Sequence, residues 1–419
     1  MIARPRAMVG QPGRTAADNL PATLVAAIFL CGALMSVRLV VIGDLFAGEM
    51  LLLATAAATI VLRGVGPRFA PLFFWAFTGA GMLMLLGYAI ADLVAVSSSA
   101  QYLRGWARIA LFGLDFVALM LLVSHGERLL WWFALGLAIG MLGVSLESDL
   151  AFTLTNWKRE YAFPTGLLVT LLSGLVSPLM AGVALGAFGG MTMMLDYRSL
   201  GGVYLLAAGV LGTRMKTSAW HRLGPLSRWS IVVSAMLVAV GLIAALLTQS
   251  DEEFHQRRLQ SNIGRVAGIV VAVEAISDSP ILGYGSWAGD KRYMQMLRSE
   301  IAKASAGKNF PGGRLSSSIL PHSQVLQAWI EGGILAAAFF MLFGVSLLAG
   351  LRWLILHHKA GLMTPLYAMV MLNALWNILF SPFLGLHRIH VAFALAALSL
   401  LAWERRAARR QLALRARGS

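Results

Sequence analysis

Phe163–Gly212 reads FPTGLLVTLLSGLVSPLMAGVALGAFGGMTMMLDYRSLGGVYLLAAGVLG, and this stretch decides the topology. A membrane helix needs about 20 apolar residues, so a run of roughly 50 exceeds one span. Ser177-Pro178 interrupts it early and Asp196-Tyr197-Arg198 interrupts it late. Proline cannot continue a helix, and charge is costly at membrane depth. The flanks settle the count. The basic cluster Arg214, Lys216, Arg222 and Arg228 belongs inside by the positive-inside rule, whereas the preceding segment from Glu147 to Ala162 falls outside. An odd number of crossings must lie between, and three short spans fit, with Arg198 at an external break.

Working outward, further apolar runs begin near Pro21, Phe46, Pro71, Arg104 and Leu130, and later near Trp229, Ser323, Leu362 and His390. The sequence therefore predicts an all-α polytopic membrane protein of about twelve spans with both termini inside. Residues 1–248 hold the N-terminal spans, 249–321 a long external loop, 322–404 the C-terminal spans, and 405–419 a basic tail. Composition agrees: 58% of the 419 residues are hydrophobic and only 13% charged, against about 25% charged in soluble chains. The segment before Pro21 lacks the apolar run of a signal peptide and reads as an internal tail. The net charge of +15 clusters at internal loops, where it encodes orientation rather than nucleic-acid binding. Cys31 is the single cysteine, which excludes intrachain disulfides and thiolate metal clusters. There is no Walker motif and no matching pair of Gly/Pro-broken spans, features that ATP-driven pumps and inverted-repeat transporters carry.

The external loop breaks the charge pattern, because it is rich in arginine and lysine. From Arg258 to Ser277, Ile263, Val266, Val270 and Val273 recur at helical intervals, predicting an amphipathic helix lying against the membrane or the bundle. Arg258, Asn262 and Arg265 form the adjoining stripe. Their spacing of four and three gives guanidinium forks one shared face, suited either to a phosphate or diphosphate or to lipid headgroups. Ser279-Pro280-Ile281-Leu282-Gly283-Tyr284-Gly285 then ends the helix and permits close backbone approach to a ligand.

Downstream, Pro321-His322-Ser323-Gln324 opens an apolar helix on which Gln324, Gln327 and Glu331 share a stripe. His322 at an outward-facing helix start, near arginines, is held neutral at pH 7. A neutral histidine there is either a general base or an interfacial residue bonded to a loop carbonyl. Asp115 lies mid-span, where a carboxylate needs an arginine partner or a proton. Arg388, beside His387 at the outer break before the last span, is a further substrate-pocket candidate. Asp251-Glu252-Glu253 reads as a solvated loop start, so no metal site is expected.

Gly264-Arg265, followed after one helix by Asp278-Ser279-Pro280-Ile281-Leu282-Gly283-Tyr284-Gly285, resembles the O-antigen ligase and polymerase superfamily. So does Pro321-His322-Ser323-Gln324-Val325-Leu326-Gln327-Ala328-Trp329-Ile330-Glu331-Gly332-Gly333-Ile334-Leu335, with its histidine, small polar pair and Glu-x-Gly. Tyr197-Arg198-Ser199-Leu200-Gly201 is similar at the family's external arginine, with Tyr197 in place of the usual small residue.

The resemblance implies a GT-C-like glycosyltransferase without cofactor, acting at the periplasmic face of a bacterial inner membrane. Its donor would be a glycan on undecaprenyl diphosphate, and its acceptor lipid A-core if it is a ligase or a second lipid-linked repeat if it is a polymerase. A transporter of lipid-linked polysaccharide is the remaining alternative. On this reading Arg198, Arg258 and Arg265 hold the diphosphate, His322 is the base, and Asn262, Gln324, Gln327 and Arg388 line the substrate site, amid membrane lipids.

Overall fold

A computed structural model of the chain describes residues 20–41, 43–147, 156–195, 197–213, 252–304, 319 and 321–417. Among these the chain is mostly helical. The first helix, α1 (Ala22–Leu34), is followed by α2 (Ala47–Arg63), α3 (Pro71–Val94), α4 (Ser99–Val123) and α5 (Arg128–Glu147). A π-turn at Trp157–Tyr161 then leads into α6 (Ala162–Val176), α7 (Pro178–Met194) and α8 (Arg198–Thr213). The C-terminal half holds α9 (Glu252–Asp278), α10 (Lys291–Ala304), α11 (Gln324–Leu356), α12 (Thr364–Phe380) and α13 (Leu386–Arg417).

Five of these helices, α3, α4, α5, α11 and α13, are long and apolar enough to cross a membrane, and α1, α6, α7 and α12 are shorter apolar helices. This is a multi-pass membrane protein. The 50-residue stretch forms three helices broken where the sequence places the breaks. Ser177 caps α7, its hydroxyl accepting from the Met180 amide at 3.1 Å, with Pro178 in the first turn. The expected span near Trp229 lies outside the described residues.

Two departures from the all-α expectation are local. Two strands, β1 (Arg38–Val41) and β2 (Gly43–Phe46), pair antiparallel. Their register pairs Arg38 with Phe46 and Val40 with Asp44, and Arg38 also forms an ion pair with Asp44. The apolar run Leu39-Val40-Val41-Ile42 looks like span sequence, but its β-branched residues suit a strand equally well. The second departure is inside α11, where Gly332 (φ −126°, ψ 15°) and Gly333 (φ 66°, ψ −163°) leave helical geometry.

Small residues set the helix spacing, as expected where lipid gives no hydrophobic drive between helices. A Cβ on Gly32, Gly136 or Gly140 would overlap the facing backbone of α5 or α1. One continuous core runs through the bundle, including Leu137, Phe339, Phe343 and Phe393. A smaller core joins α9, α10 and α11 through Val271, Ala275, Tyr293 and Ile330.

Candidate active site

The site assembles around α9. Its protein-facing side is made of small residues, Ala267, Val271, Ala272 and Ala275, all buried. Of the apolar stripe read as lying against the membrane or the bundle, Val266, Val270 and Val273 are exposed and Ile263 is half-buried, which matches the membrane side of that reading. In a membrane chain the apolar side can turn to lipid while the small side meets protein. Gly268 packs beneath Pro321, where a Cβ would stand 3.9 Å from the proline Cα. That contact, one turn from Arg265, brings Arg265 into electrostatic reach of His322.

His322 keeps a solvent-facing surface. Partial burial lowers its pKa below the ordinary 6.5, and the Arg265 charge lowers it further. The next residue fixes its place: the Ser323 hydroxyl accepts from the Leu326 amide at 3.4 Å, capping α11, and donates to the Ile378 carbonyl at 3.1 Å. The start of α11 is thereby tied to α12.

The third segment is the break before α8. The Tyr197 amide donates to the Thr192 carbonyl at 3.0 Å, closing the turn, and Arg198 opens α8 with an exposed side chain. Burial raises the Tyr197 phenol pKa, and the Arg265 charge partly offsets it. Lys158 lies 5.6 Å from the Tyr197 ring centroid. The Arg265 charge thus reaches both Tyr197 and His322, bringing together three segments distant in sequence. The first N–H groups of α8 lack intrahelical acceptors, and with the flanking cations they favour an anion.

The loop after α9 does not wait open for a ligand. It docks into the break in α11: the Tyr284 amide donates to the Ile330 carbonyl at 2.7 Å, and the Ile334 amide to the Ile281 carbonyl at 3.3 Å. The Trp329 indole donates to the Pro280 carbonyl at 2.8 Å. The close backbone approach anticipated for a ligand is therefore made to α11 itself. Asp278 anchors the other side, accepting from Tyr293 at 2.5 Å and Arg292 at 2.7 Å. Asp92 of α3 completes the latch, accepting from the Ser286 amide at 2.6 Å, its hydroxyl at 2.7 Å, and the Trp106 indole at 2.8 Å.

Beneath this layer lies a buried polar network. Glu331 forms an ion pair with Arg108 and accepts from the Tyr88 hydroxyl at 2.7 Å. The Gln327 amide donates to Glu331 at 3.2 Å and accepts from the Phe383 amide at 2.8 Å. Gln324, one turn nearer His322, is fully buried with neither polar atom partnered among the described residues.

The other sequence candidates are placed as follows. Asn262 is exposed on α9, one turn before Arg265. The backbone of Arg258 belongs to α9, but its side chain lies outside the described residues. Arg388 is buried away from this constellation, ion-paired with Glu49 and 5.1 Å from the Phe46 ring centroid. Asp115 lies beside Glu49, with Arg388 in electrostatic reach. The sequence reading passed over Tyr88, Asp92, Arg108 and Lys158. Asp92 and Arg108 carried a usable signal, since ionisable residues inside apolar helices are expensive and need a reason.

Residues 179–341 match the O-antigen ligase family model. The matched O-antigen ligase domain runs from α7 to just past the break in α11, and so contains Arg198, Arg265 and His322. It supports ligase- or polymerase-type function, with a lipid-linked glycan and an acceptor as the general substrates. No curated protein matches the chain.

Proposed function

We propose that the protein is an O-antigen ligase: an inverting, metal-independent glycosyltransferase at the periplasmic face of a bacterial inner membrane. It moves a polysaccharide from undecaprenyl diphosphate to lipid A-core. What supports this reading is that the Arg265 charge reaches both Tyr197, beside Arg198, and His322.

The chemistry follows from those positions. Breaking the bond from the anomeric carbon to the diphosphate oxygen places negative charge on the leaving group, which fixed cations stabilise without reorganising. Arg265, Arg198 and the N-terminus of α8 supply that field. The acceptor hydroxyl loses its proton to His322, whose lowered pKa keeps it neutral and able to accept. Attack from the face opposite the diphosphate gives inversion in one displacement. Gln324, the first residue of the helix that starts beside the base and with its amide unpartnered among the described residues, is the candidate to orient the acceptor sugar, whereas Gln327 is committed to Glu331 and the Phe383 amide.

Gene deletion tests the acceptor. Loss of a ligase leaves core-only lipopolysaccharide while long glycan accumulates on undecaprenyl diphosphate. Loss of a polymerase leaves core carrying a single repeat. A core-plus-one-repeat band would replace the ligase assignment with the polymerase.

A further inference from the structure

At the end of the bundle opposite His322, α11 and α13 enclose a second basic site that glycosyl transfer does not use. The two helices pack closely at Gly350, where a Cβ would stand 2.5 Å from the Leu398 Cδ2 of α13. Beside it a cavity of about 320 Å³ lies between Ser346, Ala349 and Trp353 of α11 and Leu398, Leu401 and Ala402 of α13. Phe73 of α3 also lines it, and Arg405, Arg406 and Arg409 complete it. An adjoining cavity of about 430 Å³ shares Ala349, Trp353, Arg405 and Arg409, and adds Arg352, His357 and Leu412. The two form one groove.

The pattern of its walls is directional. On α11 the lining recurs at intervals of three and four from Ser346 to His357, and on α13 from Leu398 to Leu412, so each helix offers one face. The half nearer the bundle centre is apolar, and the outer half is basic. No carboxylate forms an ion pair with Arg352, Arg405, Arg406 or Arg409 among the described residues. Glu404, the acid beside them, is held by His358 Nδ1 at 2.6 Å. The Trp353 indole, stacked on His357 with centroids 4.5 Å apart, has a buried N–H without a partner among the described residues.

An uncompensated arginine cluster continuous with an apolar slot inside the spans fits an amphiphile with an anionic head. Nucleic acid or an acidic peptide would satisfy the arginines but leave the slot beside Phe73 and Leu398 unfilled. Basic pockets between membrane helices on the positive side recognise acidic lipid headgroups in this way. We propose that this groove binds one anionic phospholipid. Its phosphate is held by Arg352, Arg405 and Arg409, and an acyl chain lies between Phe73, Leu398 and Leu401.

Native mass spectrometry of the full-length, detergent-purified protein tests this with phosphatidylglycerol and phosphatidylcholine of identical chains. Two arginines at about 1 kcal/mol each give a preference of about 30-fold for phosphatidylglycerol. The double variant R405Q/R409Q should lose that preference, and R405K/R409K should keep part of it. Inorganic phosphate at millimolar concentration should not displace the lipid, because it cannot fill the apolar slot. Equal retention of the two lipids, an unchanged preference in R405Q/R409Q, or displacement by inorganic phosphate would each overturn the proposal. If R405Q/R409Q fails to fold, lipid preference and phosphate competition on the unaltered protein still decide. Binding of an acidic peptide or oligonucleotide with equal affinity would also reject the lipid assignment.

Discussion

Replacing Gly333 by alanine isolates the interlock between the loop after α9 and the break in α11. At φ 66° and ψ −163° the backbone occupies a region open essentially to glycine, and another residue there costs about 1–3 kcal/mol. An alanine Cβ would also overlap the Ile281 carbonyl, and relieving such a clash costs about 1–3 kcal/mol more. The bond from the Ile334 amide to the Ile281 carbonyl would go with it, for about 0.5–1.5 kcal/mol. The total, about 2.5–7.5 kcal/mol, falls on the contact that tethers the C-terminal end of α9. A displacement of about 1 Å at a reacting group can cost about 10²-fold in rate. Turnover in proteoliposomes should therefore fall by about one to two orders of magnitude, with insertion intact and the melting temperature lowered. Gly344→Ala is the control: it lies in the same helix, with nothing within 4 Å of an added Cβ. There alanine should be neutral or stabilising by about 0.4–1 kcal/mol. If Gly333→Ala matches the unaltered protein in both turnover and melting temperature, the interlock does not position the site.

The acid limb of kcat/KM should fall below pH 6.5, because burial and the Arg265 charge depress the His322 pKa and the neutral base persists into mild acid. In Arg265→Gln the residual activity should lose its base at a higher pH, read from the same profile. Arg265→Lys should fail to restore full transfer if two guanidinium donors grip phosphate oxygens together, and wild-type turnover in that variant would reduce the role to a point charge. Transfer should persist in EDTA, with arginines in the charge-stabilising role that a metal plays elsewhere. Loss on chelation with recovery on Mg²⁺ or Mn²⁺ would contradict that assignment.

The helices were legible wherever one strong local signal existed. Ser177-Pro178 and Tyr197-Arg198 mark their breaks because proline and charge are expensive inside a span. The helix read from Arg258 to Ser277 is present and longer, Glu252–Asp278, and of the two settings left open for its apolar stripe, membrane or bundle, the exposed valines fit the membrane. Periodicity finds the apolar stripe, yet beside lipid that stripe need not be the one that packs on protein. The break at Gly332-Gly333 left no local mark, since glycine is common within membrane helices. The ion pairs of Arg108 with Glu331 and Arg388 with Glu49 join residues more than 200 positions apart, and no window of sequence contains both partners. Arg265 and His322 stood out individually by residue type and position. That the Arg265 charge reaches both Tyr197 and His322 emerged only when the three segments met in space.

The most direct test of the proposed function asks whether His322 and Arg265 belong to one centre that forms a glycosidic bond. Purified protein in proteoliposomes, given an undecaprenyl-diphosphate-linked glycan and lipid A-core, tests it by direct detection of the joined product. Product is expected with the unaltered chain, with a loss of about 10² to 10⁴ in rate for His322→Ala, the usual cost of removing one general base. Near-normal product formation by a folded His322→Ala protein would contradict it.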